Sequence, residues 1–285
     1  MSDFLQYLLT GLGIGCAFAL VGSGLIAIYR VTHVVNFAQG GFAVIGGMCA
    51  SSFLTAGLPH GVAEILAIAV AAAVGLAVGV VAIGRPGTSP RQGLIITLGL
   101  GILAYAAEVL IWGDQPRSFD GVPGATTLLG VRVPTQYLLI IAVTVLVFAL
   151  LGLFFARTDV GKALSACAAN PYAARLVGIG VTRMGLLSFA LGGALGGLAG
   201  VLVSPVQQVT FDSDVLLIVN GFAAAILGAL TRPILALAGG LLLGVAQTLV
   251  AGYGSGAHQT DVALALMLAV LIWQAARQPT VEEAR

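Results

Sequence analysis

Long apolar runs alternate with short polar breaks along this chain, and nine of the runs approach the roughly 20 residues that a helix needs to cross hydrocarbon. They cover residues 4–29, 34–56, 62–84, 93–112, 137–156, 185–205, 215–230, 234–251 and 262–276. The second and seventh are the weakest, one rich in glycine and the other short, so each also reads as a re-entrant or broken segment. The pattern predicts an all-α polytopic membrane protein of eight or nine transmembrane helices, forming a single transmembrane domain over residues 1–285. The first run lacks a charged leading segment and is too long for a cleavable signal peptide, so it is expected to stay as the first span.

Three polar breaks are long enough to carry structure. Residues 113–136 hold Pro116, Gly121, Pro123, Gly124 and Pro134, which predicts a turn-rich cap with room for an interfacial hairpin. Residues 278–285 are a short polar tail expected to fray. Residues 157–184 are too polar for hydrocarbon and too well punctuated for a slack loop. Thr158 and Asp159 are helix starters, Asn170-Pro171 is a second start, and Arg175 suits a helix carboxyl end. Gly178 stands where a left-handed residue closes a helix. Two short helices on a cationic loop make a docking surface; an ordinary basic connection is the plainer alternative.

Charge sets the orientation. With the amino terminus outside, the inner segments hold Arg30, Arg85, Arg91, Arg157, Lys162, Arg175, Arg183, Arg232, Arg277 and Arg285, against Arg117 and Arg132 outside. Ten against two follows the positive-inside rule and puts the carboxyl terminus in the cytoplasm. Composition agrees with the membrane: 59% of residues are hydrophobic and 8% charged, where soluble domains carry about 25% charged residues. Mean hydropathy is +1.07. A net charge of +1 argues against a nucleic-acid partner.

Glycine supplies 40 residues, and its spacing is informative. Gly192, Gly196 and Gly200 fall four apart, Gly193 and Gly197 make a parallel row, and Gly11/Gly15, Gly75/Gly79 and Gly240/Gly244 repeat the interval. Such stripes let helix backbones approach closely; the first could also let a helix flex. The three cysteines (Cys16, Cys49, Cys167) have no ligand spacing and read as packing residues.

Catalysis finds no foothold. His33, His60 and His258 lie far apart with no second ligand at helical spacing, and no phosphate-cradling glycine loop with a following lysine is present. No catalytic residue, metal site or bound cofactor is expected. The informative polar residues stand in apolar surroundings. Asn36 and Gln39, three apart, would share one helix face, with Gly40 and Gly41 permitting a kink. Asn220 and Gln247 are single polar residues in apolar runs. All are pathway candidates, with interhelical hydrogen bonding as the alternative. Glu64 and Glu108 fall toward the outer face, where each could line an external vestibule; the plainer expectation is that each snorkels to the interface or pairs locally.

Several of these stretches resemble one family. Asn36-Phe-Ala-Gln39-Gly40 is similar to the Asn-Phe-Ala-His-Gly signature of H-type permease subunits of branched-chain amino-acid ABC importers. Gly161, Lys162, Ala163 and Ala166, then Ala174, Arg175, Leu176, Gly178 and Ile179, resemble that family's coupling loop. Residues 222–228, followed by Gly239, Gly240 and Gly244, make a third match, in family order. The resemblance implies a multi-pass subunit of a bacterial inner membrane, taking up branched-chain or other hydrophobic amino acids. It implies a second permease subunit, usually unlike the first, two cytoplasmic ATPases that hydrolyse ATP with magnesium, and a periplasmic solute-binding protein. Residues 157–184 would then dock on the ATPase. Three departures stand out: Gln39 for the usual His, Gly41 where an acidic residue is common, and Ala229-Leu-Thr-Arg-Pro233 in place of a glycine-rich turn. They leave urea or short amides open as solutes; an independent carrier or channel is the rival class.

Overall fold

The computed structural model describes residues 2–84, 88–128, 130–228, 230, 232–254, 256 and 259–277. Arg85, His258, Arg285 and the 278–285 tail therefore lie outside the described residues, as does part of the turn at 229–233. Among the described residues, six helices are long and apolar enough to cross a membrane: α1 (Ser2–Thr32), α3 (Val62–Ile83), α4 (Pro90–Trp112), α5 (Thr135–Arg157), α8 (Val181–Val203) and α10 (Pro233–Tyr253). Two more, α2 (Gln39–Thr55) and α9 (Ser213–Leu227), have 17 and 15 residues. At 1.5 Å per residue they reach only about 26 and 22 Å, short of the roughly 30 Å hydrocarbon core. α11 (Gln259–Arg277) comes last, and α6 (Asp159–Ala169) with α7 (Pro171–Leu176) forms the connection between α5 and α8.

The core is built on α1, which is buried for most of its length and packs against α10, α8, α9 and α5. Small residues make that possible. Gly240 sits so close to α1 that a Cβ on it would meet Ala19 N and Gly15 O at 2.7 Å, and Gly244 lies against the backbone of Gly11 and Gly15. α8 carries the second close-packed seam: Gly193 and Gly197 face Ala71 of α3, Gly196 faces Phe42 Cβ, and Gly200 abuts the Ala43 carbonyl of α2. Without a hydrophobic force between helices in lipid, backbone approach of this kind supplies the packing energy. α3, α4 and α5 instead turn many large apolar residues outward, as a lipid-facing or subunit-facing surface requires.

Two of the weaker readings take definite form. The 113–136 loop does hold a hairpin within the otherwise helical fold: β1 (Ala125–Leu128) and β2 (Val131–Pro134) pair antiparallel, Ala125 with Pro134 and Leu128 with Val131. A bridge between Arg117 and Val209 ties that loop to the connection before α9. The second segment is not one helix over 34–56. α1 stops where His33 takes φ +55, the chain runs non-helically to Ala38, and α2 starts only at Gln39.

Candidate functional site

The break before α2 is held open by side chains that replace helical hydrogen bonds. The Asn36 Oδ1 accepts from Ala38 N–H at 3.1 Å, a turn that Asn makes readily. Thr97 of α4 does the rest: its hydroxyl accepts from Phe37 N–H at 3.3 Å and lies 3.2 Å from the Val35 carbonyl. Val34 N–H is bound by Thr32 Oγ1 at 3.2 Å. Non-helical backbone inside a bundle is tolerated only with its polar groups satisfied in this way.

Glycines of α4 show how deep the break lies. A Cβ on Gly93 would meet Val34, one on Gly101 would meet Phe37 O at 3.4 Å, and one on Gly41 would lie 3.6 Å from Ala104 Cβ. The stretch therefore climbs alongside α4, covering in extended form about the 12 Å that α4 rises between residues 93 and 101. α2 thus begins about half-way along α4. The start of α9 meets it there, with Gly40 against the Asp214 carbonyl and Phe211 edge-on to Tyr105 at 5.2 Å. The amino ends of the two short helices converge at mid-bundle.

Asn36, Gln39 and Gly40 are brought together at this junction, but not as one helical face, because Asn36 precedes the helix. Asn36 Nδ2 donates to Gln39 Oε1 at 3.3 Å, and Gln39 Nε2 donates to the Gly192 carbonyl at 2.9 Å, beside Gly24 of α1. Both side chains are fully buried. Asn220 stands apart from them. It donates to the Leu216 carbonyl at 2.8 Å and accepts from Gln247 Nε2 at 2.6 Å, tying α9 to α10. Phe37 and Phe222, stacked at 6.5 Å, link the two places. Of the stripe expected on α8, Gly192 meets the tip of Ile28, whereas Gly196 and Gly200 meet α2.

The two glutamates separate. Glu64 pairs locally, with His60 Nδ1 2.8 Å from its carboxylate at the start of α3. Glu108 neither snorkels nor pairs: it is 2% exposed and both carboxyl oxygens lack a hydrogen-bond partner. Its place on α4 points it at the α2 amino end, 3.5 Å from where a Gly41 Cβ would be. Sequence position alone could not show this, since depth depends on α4 lying beside a helix that starts late.

The 157–184 connection is compact. Thr158 caps α6, accepting from Gly161 N–H at 3.0 Å, and Asn170 caps α7, accepting from the Tyr172 and Ala173 amides, each at 3.0 Å. Gly178, at φ +84, closes it. Gly161 is buried against the Phe154 carbonyl, and Ala174 packs with Val31, Leu164 and Cys167, so these two fasten the loop to the bundle. Ala163 and Ala166 are half-buried, while Lys162, Arg175, Leu176 and Gly178 are exposed. Motif reading missed Tyr172 and Val177, which with Leu176 are 70%, 76% and 72% exposed. An apolar residue in a loop carries no mark of its own; the asparagine cap and Pro171 that fix the direction of α7 were the available signal.

Six long apolar helices and a glycine-packed core with two shortened helices define a multi-pass helical membrane protein. A family model for the permease component of the branched-chain amino acid transport system matches residues 7–274, and the chain belongs to that family. Among its relatives, the high-affinity branched-chain amino acid transport system permease protein LivH of Salmonella typhimurium is 29% identical over 286 positions, 94% of this chain and 93% of the relative. The permease protein BraD of Pseudomonas aeruginosa is 29% identical over 289 positions, covering 95% and 94%. A probable branched-chain amino acid transport permease protein LivH of Methanocaldococcus jannaschii is 30% identical over 275 positions, covering 89% and 85%.

Proposed function

We propose that the chain is the transmembrane permease subunit of an ATP-driven importer for branched-chain or similar hydrophobic amino acids in a bacterial inner membrane. It acts with a second permease subunit, two cytoplasmic ATPases and a periplasmic binding protein, and binds no cofactor itself; ATP and magnesium belong to the partners. Residues 1–285 form one transmembrane domain of nine crossings, amino terminus outside and carboxyl terminus inside, with 113–136 periplasmic and 278–285 cytoplasmic. The ten-to-two division of cationic residues supports that orientation.

Beyond family membership, the observation that carries this reading is the α6–α7 connection. Two capped helices, anchored through Gly161 and Ala174, hold Tyr172, Leu176 and Val177 out with Lys162 and Arg175 beside them. Apolar residues rimmed by cations on a rigid mount suit a cleft in an ATPase. The solute pathway passes the convergent amino ends of α2 and α9. Discontinuous helices are where transporters commonly place solutes. Asn36, Gln39 and Gly40 hold that junction in shape, and Asn220 holds α9 to α10. One N–H and one lone pair of the Gln39 amide are taken by the Gly192 carbonyl and by Asn36 Nδ2.

Leu176→Asp and Val177→Asp change exposed positions and should leave membrane insertion intact while abolishing solute-stimulated ATP hydrolysis by the assembled complex. Gly161→Pro and Ala166→Asp should lose it too. Normal hydrolysis in the two exposed variants would sink the coupling assignment.

A further inference from the structure

An open cleft of ≈ 700 Å³ lies where α1 and α3 end and α8 begins, and the importer scheme leaves it without a task. Three long apolar helices have their ends there, so it sits at the boundary between hydrocarbon and water. Its floor is apolar: a Cβ on Gly185 would meet Ile83 Cδ1 at 2.6 Å and Thr32 Cγ2 at 3.2 Å, and Val31 and Val181 add to the lining. Its polar lining is cationic. Arg183 lays its stem along Gly180, whose Cβ position is 3.5 Å from the Arg183 Cδ. Arg175 comes from α7, whose end is fixed by Gly178 N–H donating to the Arg175 carbonyl and Ile179 N–H to the Ala174 carbonyl, each at 3.0 Å. No carboxylate lines the cleft, and neither guanidinium has an ion-pair partner among the described residues. Asp159, the only acid among the described residues at this end of the bundle, lies 4.0 Å from Lys162 instead. The positive-inside bias accounts for cations at one end of a bundle. It does not account for two of them lining one cleft over an apolar floor.

We propose that this cleft binds the phosphate of an anionic phospholipid, with Arg175 and Arg183 on the phosphate oxygens and the glycerol and first methylenes over Val31, Ile83 and Val181. Guanidinium groups meet phosphate through paired hydrogen bonds, and basic pockets between spans at the membrane surface take anionic head groups. The first amides of α8, which no side chain caps, add donors of the same sign. A zwitterionic lipid brings its own ammonium, which the two arginines repel, and a free phosphate gains nothing from the apolar floor. The inference needs only that the chain spans a membrane; neither its solute nor its orientation enters.

The test uses the full-length chain in its assembled complex, delipidated in an uncharged detergent and titrated with phosphatidylglycerol or phosphatidylcholine. Native mass spectrometry reads lipid-bound against lipid-free complex. Wild type should bind phosphatidylglycerol in preference to phosphatidylcholine, and inorganic phosphate should not displace it. Arg183→Ala should weaken phosphatidylglycerol about fivefold, the usual worth of one cation near anionic lipid. Thr182→Glu, which sets a carboxylate in the cleft, should weaken it at least as much. Arg183→Lys keeps the charge and should recover part of the binding. Arg91→Ala, a cation at the same end but outside the cleft, should change nothing. All three positions are exposed, so the variants should fold; Arg175 is left in place because it also rims the docking surface. Unchanged binding in Arg183→Ala, an equal loss in Arg91→Ala, or equal binding of the two lipids to wild type overturns the proposal. Displacement by inorganic phosphate assigns the cleft to a soluble anion and overturns it too. If no ATPase copurifies, the importer reading falls by itself, and the same titration is run on the chain alone.

Discussion

At the scale of single residues, hydroxyls and amides with a backbone partner should matter more than those without. Thr97→Val removes the group that satisfies Phe37 N–H and that divides its one proton between the Leu94 and Val35 carbonyls, leaving partly buried backbone unpaired. We expect a loss of about 1–3 kcal/mol, read as a lowered unfolding midpoint in detergent. Ser23→Ala should be neutral or slightly stabilising, because Ser23 Oγ is buried with no partner to lose. Cys167, in the connection between α5 and α8, gives a pH signature: burial pushes its thiol above the ordinary range, against a weaker downward pull from Arg175. The fold favours the neutral thiol, so its contribution is present below the unfolded thiol pKa and is lost as pH rises through the higher folded value. Stability should fall as pH rises past the unfolded thiol value of about 8.5, and Cys167→Ala should show a smaller fall. The sequence made Asn36, Gln39 and Glu108 visible as polar residues in apolar runs. It could not show Thr97 as the partner of a break 60 residues away, nor that α4 holds Glu108 too deep to reach water.

Among elements, the glycine stripes were legible as close-packing faces because four-residue spacing survives any helix boundary error. Their partners were not, since spacing along one helix says nothing of which neighbour arrives. Gly200 takes the Ala43 carbonyl and Gly244 takes the backbone of Gly11 and Gly15, neither of which can yield. Gly200→Ala and Gly244→Ala should each cost about 1–3 kcal/mol or prevent folding. Gly192→Ala should cost less, because its tightest contact is the end of the Ile28 side chain, with the Gly24 carbonyl farther away at 3.2 Å. Gly99, within α4, has nothing within 4 Å, so Gly99→Ala should gain up to about 1 kcal/mol from helix propensity alone. Thermal unfolding of the four variants in one detergent ranks them; equal effects would remove close approach as the cause. That the second segment is broken was legible from its glycines; where it breaks was not, because His33 at positive φ is a backbone state that a side-chain pattern does not record.

For the whole molecule, the shortened helices and the cationic connection belong to one design. α2 and α9 converge amid the bundle, and α6–α7 joins α5 to α8, which holds α2 through Gly196 and Gly200, so on the proposed reading a partner pressing on that connection would act on the junction through α8. That linkage works only if 157–184 faces the compartment that holds the ATPases, which makes orientation the assumption to test. The native cysteines are all buried, so exposed single cysteines can be read against a quiet background. Asp114→Cys lies in the loop before the hairpin, and Lys162→Cys lies on the exposed side of α6. With intact spheroplasts, a membrane-impermeant maleimide should label Asp114→Cys at once and reach Lys162→Cys only after lysis. Labelling of Lys162→Cys from outside would reverse the molecule in the membrane, and with it would go both the cytoplasmic docking of α6–α7 and the outward position of the 113–136 loop.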